Sequence, residues 1–404
     1  MLAIVMRIAI YSDSFLPYIS GVTTSILNQA HELIRQGHEV EIYRPKPKAG
    51  QVTLHAVDDR IQVHDLPFSV PWLRFPDLRC AMPLMSSLLK IKAFRPDVIH
   101  THTEFGCGWE GVAVARLLDT PVVATFNTFY SDPEYLRHLH QPMRWAARQG
   151  VWHYLMTYYN RCHALISPSN AALQELRKHG LKIPDHLIHN GGPDVNWLPD
   201  SDIAIYREQL GLSKAPCFVY VGRVSHEKSL DVLLHAFRKV INQCEDAKLL
   251  MIGDGPYRPE LNQLIQKLDM RDAVLETGMV PHDKLIKDNI LRVADVFVSA
   301  SKTENHPVSV LEALMFGLPM IGPEARGMPE IIKHDKNGLI FAPDDVEELS
   351  KRMLCLATDT PTRARLAAGA LQSRERYRIG NVVTEVLGVY ESVIAAQHPS
   401  GKVA

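Results

Sequence analysis

The sequence predicts an α/β protein of two domains, each built on a parallel sheet. Three observations carry this reading. Short β-rich runs alternate with amphipathic helical stretches along the chain, the grammar of βαβ units. The alternation breaks and restarts around 190–202, where NGGPDVNWLPDSD is dense in Gly, Pro, Asn and Asp. A length of 404 residues also suffices for two cores of ordinary size. The expected division is a first Rossmann-like domain at 1–190, a linker at 191–202 and a second Rossmann-like domain at 203–380. A terminal helix at 381–404 then crosses back to the first domain.

In chain order, 4–11 reads as the first strand. The opening MLAIVMRIAI lacks the basic start and polar break of a signal peptide and leads straight into YSDS. A helix follows over 20–36, with Leu27, Ala30, Leu33 and Ile34 on one face, and Gly37 stops it. Residues 40–43 form the next strand, and 49–83, rich in Pro and charge, is assigned no element. Strands are expected at 96–100, 121–126 and 164–167, with helices ending at Leu118 and spanning 143–161 and 170–179. After the break come strands at 217–221, 248–252, 273–276 and 296–300, separated by helices at 230–242 and 260–268.

Composition excludes several classes of function. Net charge is -1 and 46% of residues are apolar, which is globular and gives no reason to expect a nucleic-acid partner. Six cysteines without a C-x-x-C pair argue for reduced thiols in a cytosolic protein, not a disulfide frame or zinc site. No uninterrupted apolar run approaches the roughly 20 residues that span a bilayer.

The chemistry concentrates where strands give way to helices. At 303–319, TENHPVSVLEALMFGLP, Glu304 falls in a loop and Glu312 on the helix after it. Helix starts at the carboxyl edge of a parallel sheet favour phosphates, which two carboxylates would repel. Glu304 and Glu312 are therefore read as acceptors of hydrogen bonds from sugar and ribose hydroxyls. In GRVSHEK, Gly222 opens a loop whose Arg223 and Lys228 could hold a diphosphate without a metal, or could be surface charges. Gly21 also sits at a helix start, although YSDSFLPYISG lacks the G-x-G-x-x-G of a dinucleotide site. Asp254, in IGDGP, reads as turn chemistry, and Asp200 and Asp202 read as turn and helix-cap residues.

His100 and His102 are read as facing opposite sides of a strand end, which leaves no shared metal site; His102 is the one expected nearer the sheet edge. Finally, 137–182 carries seven basic residues against Glu175, interleaved with aromatics, and a second such stretch precedes it. Either it favours an anionic lipid surface, or it is a helix pair whose Trp145, Trp152 and Leu155 are core.

Taken together, MRIAIYSDSFLPYISGVTTSI, PDVIHTHTEFG, GRVSHEKSLDVLL, IGDGP and TENHPVSVLEALMFGLP resemble the ordered signatures of retaining glycosyltransferases of family 4. With FNTFYSDPEYL, the first motif looks most like the glycolipid subgroup of glucosyl-diacylglycerol synthases, sulfolipid synthases and related mannosyltransferases. The resemblance implies a GT-B fold, two facing Rossmann-like domains with an interdomain cleft. It also implies metal-independent transfer of a hexose from a UDP- or GDP-linked donor to a glycerolipid or other glycolipid hydroxyl, without a cofactor. Arg223 and Lys228 would hold the diphosphate, with Gly21 approaching it, Gly222 turning the loop and the backbone at Val308 capping the phosphate. Glu304 would face the hexose, Glu312 the ribose and Val280 the base. His102, Tyr130 and Tyr135 are acceptor-side candidates. The subgroup commonly has Thr-x-His-Thr where this chain has Thr125-Phe126-Asn127-Thr128, so Asn127 stands where a histidine usually adjoins the donor sugar. The expected location is cytoplasmic, at the inner face of the cell membrane. Polysaccharide or polyprenyl-linked glycan acceptors, nucleotide-sugar epimerisation, and a silent nucleotide-sugar binding protein are the alternatives.

Overall fold

The computed structural model describes residues 5–48, 50, 56–71, 79–130, 140–212 and 215–397. The chain divides into two compact units, Met1–Gly191 with Ile379–Ala404, and Gly192–Arg378. The stretch expected as a linker thus belongs, from Gly192, to the second unit. Asp200 already begins a helix, Asp200–Gln209, which seats Ile203 in that unit's core.

The first unit contains β1 (Arg7–Tyr11), β2 (Glu39–Pro45), β3 (Gln62–Leu66), β4 (Ser69–Pro71), β5 (Arg79–Ala81), β6 (Val98–Thr101), β7 (Val122–Thr125), β8 (Ala164–Ser167) and β9 (Asp185–Leu187). Its main sheet has the order β3-β2-β1-β6-β7-β8-β9, while β4 and β5 pair separately. Every pairing in the main sheet is parallel. Parallel strands need cover on both faces, and the central ones are accordingly buried throughout. In β1, Ile8 and Ile10 enter one core with Leu33 and Val383, while Ala9 and Tyr11 enter another with Val114 and Leu155. The stretch 49–83, given no element from sequence, supplies β3, β4 and β5. These strands are short, and β3 is only half-buried, so its hydrophobic pattern is weak.

Helix Gly21–Arg35 is capped by Ser20, whose hydroxyl accepts from the Thr23 amide at 3.2 Å. Helix Ile379–Gln397 lies on this first unit, packing Val382, Val383, Val386 and Val389 into the core shared with Ile8 and Ile10. It is long and apolar enough by composition to cross a membrane, but this valine face is already occupied by protein.

The second unit contains β10 (Cys217–Val221), β11 (Lys248–Ile252), β12 (Val274–Gly278), β13 (Val296–Val298), β14 (Met320–Pro323) and β15 (Gly338–Phe341). They form one parallel sheet, ordered β12-β11-β10-β13-β14-β15. The turn after β11 presses against the turn after β10. A Cβ on Gly253 would lie 1.9 Å from the Gly222 carbonyl oxygen, and Gly253 has φ +138. Only glycine fits there, and this closeness fixes the spacing of the two turns.

Removing two methyls from the fully buried Val383 should lower unfolding free energy by about 2 kcal/mol in Val383→Ala. The exposed Glu385→Ala on the same helix should stay within about 0.5 kcal/mol. Urea unfolding of both variants checks this.

Candidate functional site

In the second unit the predicted residues gather at the carboxyl ends of β10 and β13. After β10, Gly222 and the half-buried Arg223 lead into the short turn His226–Lys228 and then helix Leu230–Ile241. The Tyr220 hydroxyl donates to the Arg223 carbonyl at 2.9 Å, holding this loop to its own strand. After β13, the hydroxyls of Ser301 and Thr303 donate to the Glu227 carbonyl at 3.3 and 3.4 Å, tying the two loops together. Across that junction Lys228 Nζ donates to Glu304 Oε1, in an ion pair whose side chains keep 22% and 19% exposure. The cation assigned to phosphate and the carboxylate assigned to hexose hydroxyls are therefore direct partners.

Helix Val308–Met315 follows, with Pro307 before it and Val308 5% exposed at its start. Its Glu312 is buried among apolar neighbours, and Oε1 accepts from His282 Nε2 at 2.7 Å. Burial pulls the His282 pKa down, but the charge and hydrogen bond of Glu312, aided by Asp283, more than offset this, leaving it above 6.5. Val280, two residues before His282, is half-buried against the same core. His282 is a site residue that sequence reasoning missed. It stands in the same GMVPHDKL stretch as Val280, but no spacing rule links it to a glutamate 30 positions later. Asp254 bonds the Gly255 amide at 2.8 Å and pairs with Arg258 at 3.2 Å, which is turn chemistry as read. Asp200 and Asp202 occupy the first turn of their helix, and Asp200 pairs with Arg292.

In the first unit, Gly21 is the exposed first residue of its helix. The loop before it is anchored by Asp13, a buried residue that sequence reasoning did not single out. Its carboxylate accepts from the Ala81 amide at 2.8 Å, the Thr103 hydroxyl at 2.8 Å and the Cys107 amide at 2.9 Å. Burial nonetheless raises its pKa from 3.8. One side chain thus joins the loop after β1 to β5 and to the start of helix Gly106–Leu118.

His100 and His102 share a side of the strand end, contrary to the sequence reading, with ring centroids 4.1 Å apart. Residues two apart on a strand point the same way. His100 is held by the Tyr390 hydroxyl at 2.6 Å and the Thr125 hydroxyl at 2.7 Å. His102 is 2% exposed, and among the described residues neither ring nitrogen has a partner. Burial pulls its pKa down to about 3. It lines a small pocket with Ser25, Gln29, Thr125 and Asn190, all within this unit. Asn127 donates to the His102 carbonyl at 2.9 Å, so the amide braces the β6 end. Tyr130 meets Phe105 edge-on at 5.1 Å, and Tyr135 lies outside the described residues.

Between His102 and Phe105, Glu104 is 3% exposed. Oε2 accepts from the Tyr159 hydroxyl at 3.3 Å, whereas Oε1 has no partner among the described residues. Burial, outweighing its hydrogen bonds, pushes this carboxyl up to about 8 from 4.5.

On helix Gln141–Tyr159 the core reading holds for two of its three residues. Trp152 and Leu155 are core at 2% and 1% exposure, whereas Trp145 is 68% exposed and Met143 57%.

A carboxyl whose folded pKa is raised favours folding fully below its unfolded value and loses that contribution as pH rises through the folded one. Wild-type stability should therefore fall relative to Glu104→Gln between about pH 4.5 and about pH 8. Denaturation midpoints across that range measure the difference.

Two family descriptions match the chain, Glycosyltransferase Family 4 over residues 19–192 and Glycosyl transferases group 1 over residues 202–373. The chain is 32% identical over 332 residues to an alpha-monoglucosyldiacylglycerol synthase of Streptococcus pneumoniae, covering 80% of this chain and 72% of that protein. It is 28% identical to a GDP-mannose-dependent alpha-mannosyltransferase of Corynebacterium glutamicum, covering 96% and 90% of the two chains. Among solved structures, HepE of Anabaena in complex with UDP-glucose superposes with a TM-score of 0.77 at 20% identity, covering 96% of this chain and 100% of that one. That identity speaks for the fold alone. With relatives and family descriptions that span both parallel-sheet units, the chain belongs to the family 4 glycosyltransferases and has their GT-B fold.

Proposed function

We propose that the chain transfers a hexose from a UDP- or GDP-linked sugar to a hydroxyl of a glycerolipid or related glycolipid, with retention of anomeric configuration. The observation that carries this reading is the Lys228–Glu304 pair beside Arg223, at a strand edge that also presents the start of helix Val308–Met315. It joins cations suited to a leaving diphosphate with a carboxylate suited to sugar hydroxyls. The relatives named for glucosyldiacylglycerol synthesis and for GDP-mannose support the acceptor and donor classes.

In this reading Arg223 and Lys228 bind the diphosphate, and the first amides of helix Val308–Met315 add donors to it. Glu304 accepts from hexose hydroxyls and Glu312 from ribose hydroxyls, while Val280 lies by the base. The acceptor hydroxyl attacks from the face that the diphosphate leaves. Its proton passes to a phosphate oxygen, the anomeric C–O bond to the nucleotide breaks, and a new C–O bond forms on the same face. The cations stabilise charge growing on the leaving oxygen, so no metal or cofactor is required.

Arg223→Ala should lower turnover by about 10²- to 10³-fold without changing the unfolding midpoint. A product assay with UDP-glucose and GDP-mannose on diacylglycerol and monoglucosyldiacylglycerol in mixed micelles measures this. Product NMR reports the anomeric configuration, and EDTA should leave the rate unchanged. Near-normal transfer by the variant would sink the assignment, and epimerised donor without transfer would replace the reaction.

Contact with an anionic membrane at the cytoplasmic face belongs to the same proposal. Its support is exposed apolar bulk among basic residues in the first unit: Trp145 at 68%, Leu84 at 55% and Leu89 at 83%, with Lys90 and Lys92 exposed beside Leu89. Trp145→Asp should reduce co-sedimentation with phosphatidylglycerol-rich vesicles several-fold, and binding to purely zwitterionic vesicles should be weak in both proteins.

A further inference from the structure

The His282–Glu312 pair is not explained by folding alone. Helix Val308–Met315 is otherwise apolar on its buried side, with Val310, Leu311, Ala313 and Leu314 at 0% exposure. A lone glutamate on such a helix should be expelled or neutralised. Glu312 is instead 3% exposed and held by a side chain from another element, the first residue of helix His282–Lys287. The hydrogen bond occupies Oε1 and leaves Oε2 without a protein partner among the described residues. Oε2 is not among the fully enclosed polar atoms lacking a partner. The carboxylate is thus clamped on one oxygen and offered on the other. His282 keeps 26% side-chain exposure, so its proton can exchange with solvent.

We propose that His282 is a positioning residue for the donor nucleotide, fixing the rotamer and charge of Glu312 so that ribose recognition is coupled to the proton on His282. This rests on the assignment of Glu312 to the ribose. A ribose seated on Oε2 removes water from an already buried carboxylate, which raises the cost of its charge. An imidazolium on Oε1 offsets that cost, and a neutral imidazole offsets less of it. Binding should therefore favour the protonated histidine, and by linkage the nucleotide should raise the pKa of His282.

The acidic groups around His282 act in the same direction. Glu312 faces it from helix Val308–Met315, and Asp283 follows it on its own helix. The turn Ile290–Val293, next to that helix, carries Arg292, which is engaged by Asp200 and stacks on Trp197 at 4.4 Å. These carboxylates keep the imidazole pKa above its ordinary value of 6.5.

The test is calorimetric titration of UDP and GDP into the full chain between about pH 6.5 and 8.5, with the wild type, His282→Gln and His282→Ala. Glutamine retains a hydrogen-bond donor but does not titrate. Wild-type affinity for the preferred nucleotide should fall by about three- to tenfold more than that of His282→Gln over this range. Titration of the nucleotide's own phosphate affects both proteins alike. The 2′,3′-dideoxy counterpart should lose the excess pH dependence. His282→Ala should bind more weakly than His282→Gln throughout. Proton NMR of the wild-type His282 ring should show its pKa rising on adding UDP or GDP, a readout independent of how the variants fold. Nucleotide binding with the same pH dependence in wild type and His282→Gln would overturn the inference and leave the donor assignment intact. Failure of the wild type to bind either nucleotide at any pH would overturn both.

Discussion

Burial of parallel strands on both faces is the constraint on which this structure depends. A strand such as Val98–Thr101 or Val122–Thr125 has no solvated side on which to carry chemistry, so its functional groups are displaced to its end. Asp13, Glu104, Arg223 and Glu304 accordingly stand in loops that leave the carboxyl edges. In the second unit those loops are also set at a fixed spacing, because Gly253 lets one turn rest on the carbonyl of Gly222.

Each pair joins side chains from two segments that follow different strands: Lys228 and Glu304 from loops, His282 and Glu312 from helices. Desolvating a lone lysine or glutamate at such an edge is costly, and pairing reduces the cost while keeping the group in place. A polar ligand that met unpaired, mobile side chains would have to order them on binding. Here Lys228 and Glu304 are already ordered by one another and remain about one-fifth exposed, open to further partners. Glu312, held by His282, is exposed much less, at 3%.

The first unit manages its buried polar groups differently. Asp13 is satisfied by three donors from separate elements and acts as a structural joint. His100 is satisfied on both nitrogens, one of them by Tyr390 of the terminal helix, so a segment distant in sequence closes the end of β6. His102 and Glu104 retain atoms without a partner among the described residues and are held largely neutral by burial. Neutral, under-satisfied groups next to Asn127 and Tyr130 make this edge the softer of the two in electrostatic terms.

The sequence by itself determined the class of fold, most of the strands and the ordered motifs of the family. These depend on local periodicity and on glycine, proline and charge at fixed offsets, which are written along the chain. It also brought Arg223, Lys228 and Glu304 to one idea, because each follows a recognisable strand. Tertiary structure alone decided what those residues touch. The pairing of Lys228 with Glu304 spans 76 positions, and Asp13 reaches Ala81 and Cys107 across similar distances. The weakly patterned β3, β4 and β5 exist because neighbouring elements hold them, not because their own residues demand it. His282 shows the difference most clearly: as a letter it is a histidine after a proline, and only the packing of two helices makes it the partner of Glu312.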